Sequence, residues 1–182
     1  MNKGIDSKMY LRELKLADKE KMLDMCKEIY KTDKNFEGLD FLSNLNEDNF
    51  EDVLKKIETY KHKDKINKNY STETFFVAIS DMDKIVGGII FRHQLKGNLI
   101  NHGGNLGYLI RPAERKKGYG TEMLHLALVK CREKGLKRVL VSCRNTNLAS
   151  AKVIENNGGI YENDFYDKKL NKVYKRYWIN LL

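Results

Sequence analysis

A short basic turn that contains two glycines most restricts the fold that this chain can adopt. The turn, residues 115–120, reads R-K-K-G-Y-G and follows the apolar segment Leu106–Ile110. Apolar residues then recur at helical spacing over residues 121–134, before a continuous apolar run at residues 139–143. The order of strand, helix and strand predicts a parallel pair joined by a right-handed crossover.

The same turn has the properties of a phosphate-binding loop. Gly118 and Gly120 allow main-chain N–H groups to approach a ligand, and the following helix directs its unpaired N–H groups to the same place. A helix N-terminus contributes only ~0.3–1 kcal/mol toward an anion, so Arg115, Lys116 and Lys117 are expected to supply much of the attraction. The P-loop pattern is absent, and the dinucleotide pattern G-x-G-x-x-G lacks its third glycine. We expect a phosphorylated cofactor, against the alternative of a solvated basic loop.

Length and composition predict one domain in a reducing compartment. The chain has 182 residues, of which 41% are hydrophobic and one is proline, which suits a single domain with a full core. Its cysteines, Cys26, Cys131 and Cys143, have no C-x-x-C spacing, and no apolar stretch reaches the ~18 residues of a membrane span or resembles a signal peptide. We expect a cytoplasmic protein with no metal and no membrane association.

The formal net charge of +9 is unevenly distributed along the chain. Acidic residues are concentrated early, at Asp33, Glu37, Asp40, Glu47, Asp48, Glu51, Asp52 and Glu58. Basic residues are concentrated in the second half, at Arg111, Arg115, Lys116, Lys117, Lys130, Arg132, Lys134, Lys137 and Arg138. This asymmetry suits an anionic cofactor beside a cationic substrate, and the alternative is that both sets are solvated helix faces. A nucleic-acid-binding module would explain the charge but not the glycines.

Hydrophobic periodicity predicts an α+β fold around a mixed sheet. The predicted strands are residues 10–16, 75–79, 85–91, 106–110, 139–143, 160–165 and 173–179. The predicted helices start at Asp18, Asp48, Thr121 and Leu148, and the last is closed by Gly158 and Gly159. The polar stretch at residues 61–69 is a candidate mobile loop.

The basic turn and a later asparagine-serine segment resemble the GNAT superfamily of N-acetyltransferases. The superfamily signature R/Q-x-x-G-x-G/A is met by Arg115, Gly118 and Gly120, and the N-x-x-S segment before a glycine-ended helix is met by Asn147 and Ser150. The likeness is specific over about residues 104–159 and architectural before them. Within the superfamily, residues 107–112 and 176–179 resemble a group of bacterial acetyltransferases whose substrates are undefined.

The resemblance implies a central mixed, mostly antiparallel sheet of about seven strands, with a splayed parallel pair and about four flanking helices. It implies one acetyltransferase domain over residues 1–182, an acetyl-CoA-binding core at about 104–159, and an N-terminal part at 10–70 that covers the acceptor cleft. The strand before the turn is expected to bulge, so that its backbone pairs with the pantetheine arm. The implied cofactor contacts are Leu109, Ile110, Arg111, Arg115, Lys116, Lys117, Gly118, Tyr119, Gly120, Thr121, Asn145, Asn147, Ser150 and Lys152. A homodimer is left open as an assembly.

The catalytic groups are less clear from the residues. Many superfamily members carry a tyrosine acid in the helix of the N-x-x-S segment, where this chain has Ile154. Tyr161 and Tyr166 are candidates to replace it, with water or an unprotonated thiolate as alternatives. Residues 104–110 contain no acid to serve as the glutamate base, so His93, whose ordinary pKa of ~6.5 suits proton removal, is the preferred base. The competing bases are His102 and Glu73.

These observations predict an acetyl-CoA-dependent N-acetyltransferase that works by direct transfer in a ternary complex. Orienting the amine and the thioester can supply ~7–11 kcal/mol, more than the ~3–5 kcal/mol of one acid or base. The acidic N-terminal part favours a cationic acceptor, either a small molecule or a peptide amine, such as a polyamine, an aminoglycoside or a lysine side chain. The alternatives are a CoA-binding sensor without catalysis and, less favoured, a nucleic-acid-binding module.

Overall fold

The computed structural model describes residues 9–181. In that range there are seven strands and four α-helices. The strands are β1 (Met9–Glu13), β2 (Glu73–Ser80), β3 (Ile85–Arg92), β4 (Leu106–Ile110), β5 (Arg138–Arg144), β6 (Ile160–Asp167) and β7 (Lys172–Asn180). The helices are α1 (Lys19–Thr32), α2 (Phe50–Tyr60), α3 (Tyr119–Glu133) and α4 (Leu148–Asn156). The predicted α+β fold class is confirmed.

One sheet contains the seven strands, in the order β1-β2-β3-β4-β5-β7-β6. Neighbouring strands are antiparallel except for β4 and β5, which run parallel. The β4–β5 pairing has one register pair, Leu106 with Val141, whereas β4 pairs with β3 along its whole length. The sheet therefore opens between β4 and β5 beyond Leu106, which confirms the predicted splayed parallel pair.

Asn105 holds the closed end of this opening. It is 3% exposed; its main-chain N–H donates to the Leu140 carbonyl at 2.7 Å, and its Oδ1 accepts from the Leu140 N–H at 2.9 Å. Its Nδ2 also donates to the Arg92 carbonyl at 3.1 Å. One buried side chain thus links β3, β4 and β5, with each of its polar groups paired.

The helices cover the two faces of the sheet. On one face α3 and α4 pack against the sheet through Met123, Leu124 and Ile154, and on the other α1 packs through Met22 and Ile29. Alternation along the strands separates the two cores, because successive side chains point to opposite faces. Leu106, Tyr108 and Ile110 of β4 accordingly face α3 and α4, while Leu109 faces α1. The site described below lies where both faces meet the opening in the sheet.

Most observed boundaries lie within two residues of the predicted ones, and two of the differences have a clear local cause. The N-cap of α2 is Asn49 rather than Asp48, because the Asn46 side chain accepts from the N–H groups of both residues and forms the turn. β1 ends at Glu13 rather than continuing to residue 16. There the Asp18 carboxylate accepts from Arg12 and from the Lys15 N–H, which turns the chain into α1.

Candidate active site

The basic turn presents a row of main-chain N–H groups with no partner. Within the described residues, the Arg115 N–H donates to Pro112 and the Glu122 N–H to Gly118, but the six N–H groups of residues 116–121 find no acceptor. Lys116 at φ +62° and Gly118 at φ +90° both have left-handed backbones. Left-handed residues of this kind gather successive N–H groups into a concave anion site. The basic turn and the first turn of α3 together form such a row of N–H groups.

The two glycines of the turn are needed for different reasons. A Cβ on Gly118 would meet nothing within 4 Å, so its requirement comes from its backbone conformation alone. A Cβ on Gly120 would lie 3.2 Å from Val153 of α4 and 3.6 Å from Ile110 of β4. Gly120 therefore lets α3 begin close to both elements, which keeps the N–H groups beside the opening.

The basic side chains of the turn are largely paired with acids. Arg115 donates through Nε to the Ile110 carbonyl at 3.1 Å and pairs with Asp33, and Lys117 pairs with Glu114 at 2.8 Å. Lys116 forms no ion pair with any described residue. Of the three side chains expected to attract an anion, Lys116 alone is therefore unpaired among the described residues.

The main chain of β4 directs alternate N–H groups into the opening. The Arg111 N–H donates to the Val86 carbonyl at 2.9 Å, which places Leu109 in the next hydrogen-bonded pair with β3. The N–H groups of Tyr108 and Ile110 consequently point away from β3, toward the separated β5. No register shift interrupts the β3–β4 ladder, so the expected bulge in β4 is wrong. Divergence of β5 exposes these amides instead.

A hydroxyl pair lies on the α4 side of the opening. The Tyr108 hydroxyl and Ser150 Oγ are 2.9 Å apart, and burial raises the pKa of Tyr108 well above its usual value. Burial likewise raises the pKa of the nearby Cys143 thiol to about 11. These groups are therefore neutral at pH 7. The sequence interpretation missed Tyr108, although its alternation with Leu106 and Ile110 indicates the face it occupies.

The segment that follows α1 lies against the other side of β4. A Cβ on Gly38 would be 3.1 Å from the Tyr108 nitrogen, and a Cβ on Gly107 would be 2.6 Å from the Gly38 carbonyl oxygen. Beside this contact, Glu37 Oε1 accepts from Arg144 Nε at 2.6 Å and from the Tyr174 hydroxyl at 3.3 Å. Glu37 and Gly38 thus bridge the two strands that border the opening.

The sequence family described as acetyltransferase (GNAT) domain matches residues 8–160. The chain belongs to this GNAT acetyltransferase family. Membership makes it an N-acetyltransferase by family and confirms the resemblance drawn from the turn and the N-x-x-S segment. No curated protein sequence gives a significant match.

Solved GNAT structures share the fold at low sequence identity. Spermidine N-acetyltransferase from Vibrio cholerae, in complex with CoA and spermine, is 17% identical with a TM-score of 0.65, over 97% of each chain. Mycobacterium smegmatis RimJ, in complex with CoA-disulfide, is 15% identical with a TM-score of 0.73, over 94% of this chain and 81% of that one. RimL, an alpha-N-protein acetyltransferase of a ribosomal protein in complex with CoA, is 14% identical with a TM-score of 0.70, over 97% and 96%. At these identities the likeness shows the fold alone.

The residues expected to contact the cofactor of this GNAT enzyme divide into two groups. Those around the opening are Ile110, residues 116–121 and Ser150. Arg111 lies elsewhere: its side chain is 8% exposed and pairs with Asp24 and Glu28 of α1, each at 2.5 Å. Since the Leu109 side chain also packs in the α1 core, Arg111 and Leu109 anchor β4 rather than facing the opening.

The polar residues near α4 have local roles as well. Asn147 Oδ1 accepts from the Ser150 N–H at 3.0 Å and caps the helix. The Asn145 N–H donates to the Val173 carbonyl at 3.0 Å, and its side chain is exposed. Lys152 is exposed too and forms no ion pair with the part of the chain described. Asn145 and Lys152 are therefore free to meet a ligand, whereas Asn147 is already engaged.

The structure does not bring the predicted catalytic residues to the opening. His93 contacts Thr72 through Nδ1 and Thr74 through Nε2, each at 3.0 Å, and burial lowers its pKa. Its ring packs 4.8 Å from Phe91, which belongs to the core beneath α3. Tyr161 and Tyr166 lie on the edge strand β6 and bond Asp164 and Asn171. Because β7 separates β6 from β5, they lie about two strand spacings, ~10 Å, from the opening.

Two further observations concern metals and membranes. Between residues 9 and 181, no three His, Cys, Asp or Glu side chains are grouped as they would be to hold a metal ion. None of the helices in the same range has the length and apolar character that crossing a membrane requires.

Proposed function

We propose that this chain is an acetyl-CoA-dependent N-acetyltransferase that passes its acetyl group directly to a cationic primary amine. The acceptor is a small molecule or the amine of a peptide. The observation that carries the proposal is the row of six unpartnered N–H groups at residues 116–121, placed beside the opening between β4 and β5. In this proposal the row would hold the pyrophosphate, and the opening would hold the extended thioester arm.

The geometry suggests an order for the cofactor groups. The pyrophosphate would accept from the N–H groups of residues 116–121, with the Lys116 ammonium group beside it. The pantetheine arm would then follow β4 and pair with the Ile110 N–H. The thioester carbonyl would reach the Tyr108 N–H, which can stabilise the charge that develops on its oxygen. Asn145 and Lys152 would flank the cofactor from the start of α4.

The transfer needs one bond made, one bond broken and one proton moved. The neutral amine nitrogen attacks the thioester carbonyl carbon, the carbon–sulfur bond breaks, and CoA leaves as a thiolate that takes up a proton while the amine loses one. The Tyr108 hydroxyl, bonded to Ser150, would hydrogen-bond that thiolate as it leaves, while the proton itself would come from solvent because burial raises the Tyr108 pKa. This hydrogen bond would stand in for the tyrosine that other members carry where this chain has Ile154.

The fold relatives and the cysteines support the acceptor class and the compartment. The related spermidine N-acetyltransferase and RimL, the alpha-N-protein acetyltransferase of a ribosomal protein, act on amines, which favours an amine acceptor here. Cys26, Cys131 and Cys143 are buried free thiols, as expected in a reducing cytoplasm.

Calorimetry and a thiol-release assay test the proposal. The purified chain should bind CoA at physiological salt and be thermally stabilised by it. With acetyl-CoA and a panel of amines, it should release free thiol fastest with cationic primary amines. Absence of CoA binding would overturn the proposal. CoA binding without turnover of any amine would favour a sensor, and binding to nucleic acid that ignores CoA would favour the nucleic-acid module.

A further inference from the structure

We infer that Glu37 binds the ammonium group of the acceptor. In the protein without acceptor, the Arg144 guanidinium occupies this position by pairing with Glu37, and the acceptor displaces it. Arg144 would then be a specificity-determining residue, because only an acceptor able to form the same ion pair displaces it. The inference rests on the proposed function and names the receptor for the acceptor amine.

The position of Glu37 connects it to the chemistry. Its neighbour Gly38 packs directly on β4, with the Gly38 Cβ position 3.1 Å from the Tyr108 nitrogen. That nitrogen is the donor proposed for the thioester carbonyl. This contact brings the Glu37–Gly38 segment to the edge of the opening, on the sheet face opposite α3 and α4, from which an acceptor amine would approach the thioester.

The Arg144–Glu37 ion pair has the features of an exchangeable contact. A single donor, Nε, reaches one carboxylate oxygen at 2.6 Å, and the side chains are 37% and 27% exposed. Arg111 provides the contrast, since it is 8% exposed and bound to two acids. Solvent-accessible single-contact ion pairs are weak and readily exchange partners. Among these arginines, Arg144 is the one that a soluble cation can displace.

Glu37 keeps a second partner when Arg144 leaves. The Tyr174 hydroxyl donates to the same carboxylate oxygen at 3.3 Å, and the Tyr174 ring stacks on His102 at 4.8 Å between centroids. His102 is in turn fixed by Asp167 at 2.9 Å. This supported carboxylate remains in place to receive a new cation.

Recognition by a carboxylate defines the acceptor class. A primary alkylamine binds in its ammonium form, whereas an aromatic amine is uncharged at pH 7 and an amino acid brings a carboxylate that Glu37 repels. Glu37 is a receptor for the charge and not the base: the bound ammonium group releases its proton to solvent before its nitrogen attacks the thioester.

Substitution of Arg144 tests the replacement. Arg144→Gln should lower KM for spermidine by roughly 5- to 10-fold, with kcat changed less than about 2-fold, because Glu37 is no longer occupied in the free protein. Glu37→Gln should raise that KM at least ~10-fold. Arg144→Lys should keep the wild-type KM. Arg138→Gln is the control for loss of one positive charge, since Arg138 is at the other end of β5 and lies over Trp178.

Direct binding completes the design. Spermidine binding to each CoA-saturated protein, measured by calorimetry, should be tighter in Arg144→Gln than in wild type. Weaker binding or a raised KM in that variant would overturn the inference, since Arg144 would then position Glu37. Absence of spermidine binding in both proteins would overturn it as well. CoA binding is measured for the wild type and for each variant. Failure of the wild type to bind CoA would refute the proposed function itself.

Discussion

Two glycines at opposite ends of α3 offer a matched test of the phosphate site. Gly118 precedes the helix at φ +90° and Gly135 follows it at φ +88°, and a Cβ added to either would meet nothing within 4 Å. Alanine at each position therefore costs only the left-handed backbone, roughly 1–2 kcal/mol. For a domain of this size, each substitution should lower Tm by about 2–8 °C.

The two variants should differ in cofactor affinity. Relief of the strain at Gly118 rotates the adjoining N–H groups, and the loss of one charge-assisted hydrogen bond, ~1.5–3 kcal/mol, weakens CoA binding about 10- to 150-fold. Gly135 is on the far side of a 15-residue helix, so Gly135→Ala should retain wild-type affinity.

Isothermal calorimetry with CoA, paired with thermal unfolding of the unliganded proteins, provides the comparison. Equal CoA affinity for Gly118→Ala and Gly135→Ala, at similar losses of Tm, would refute the assignment of the turn as the pyrophosphate site. Unequal losses of Tm would instead contradict the claim that both substitutions cost only backbone strain.

Three further predictions concern strain, capping and titration. Lys116→Gly should raise Tm by ~2–4 °C by removing a left-handed non-glycine residue, while both it and Lys116→Ala should weaken CoA binding through loss of the unpaired ammonium group. Asn147→Ala should lower the free energy of unfolding, measured by chemical denaturation, by ~0.5–2 kcal/mol because the α4 cap is lost. Asn145→Ala is the control: its side chain is exposed and does not cap the helix, so the free energy of unfolding should not change. Because burial lowers the pKa of His93, protonation favours the unfolded chain, so wild-type stability should fall as pH drops through ~6.5. Thermal scans should show a smaller pH dependence for His93→Gln, and the pH–rate profile for acetylation tests the base predicted from the sequence, since an unchanged profile in this variant would reject His93 in that role.

Features that depend on residues close together in the chain were predicted well from the sequence. β4 and α4 have the predicted limits, because each combines a clear apolar period with terminal signals, such as the glycine that follows α4 at φ +80°. The basic turn before α3 was equally readable as a turn, since its glycines and basic residues are contiguous in the chain; its phosphate-binding role stays a prediction.

Partners distant in sequence account for what the sequence could not predict. Arg115 pairs with Asp33 and Arg144 with Glu37, and no periodicity joins residues so far apart. These pairs neutralise part of both the basic cluster and the acidic segment, so counting charges overstated the attraction each offers a ligand. The bulge expected in β4 was wrong for a related reason, because the opening depends on the course of β5.

The sheet consists of two halves, each built from a continuous stretch of the chain, and the hydrogen bonds of Asn105 connect them. Strands β1 to β4 end at Ile110, and strands β5 to β7 begin at Arg138. Each half supplies one wall of the cleft, and their main-chain ladders meet only near Asn105 and Leu106. Recombination within the intervening α3 segment would consequently exchange one complete wall, which carries Arg144 and Tyr174, while the opposite wall kept the main-chain N–H groups of β4.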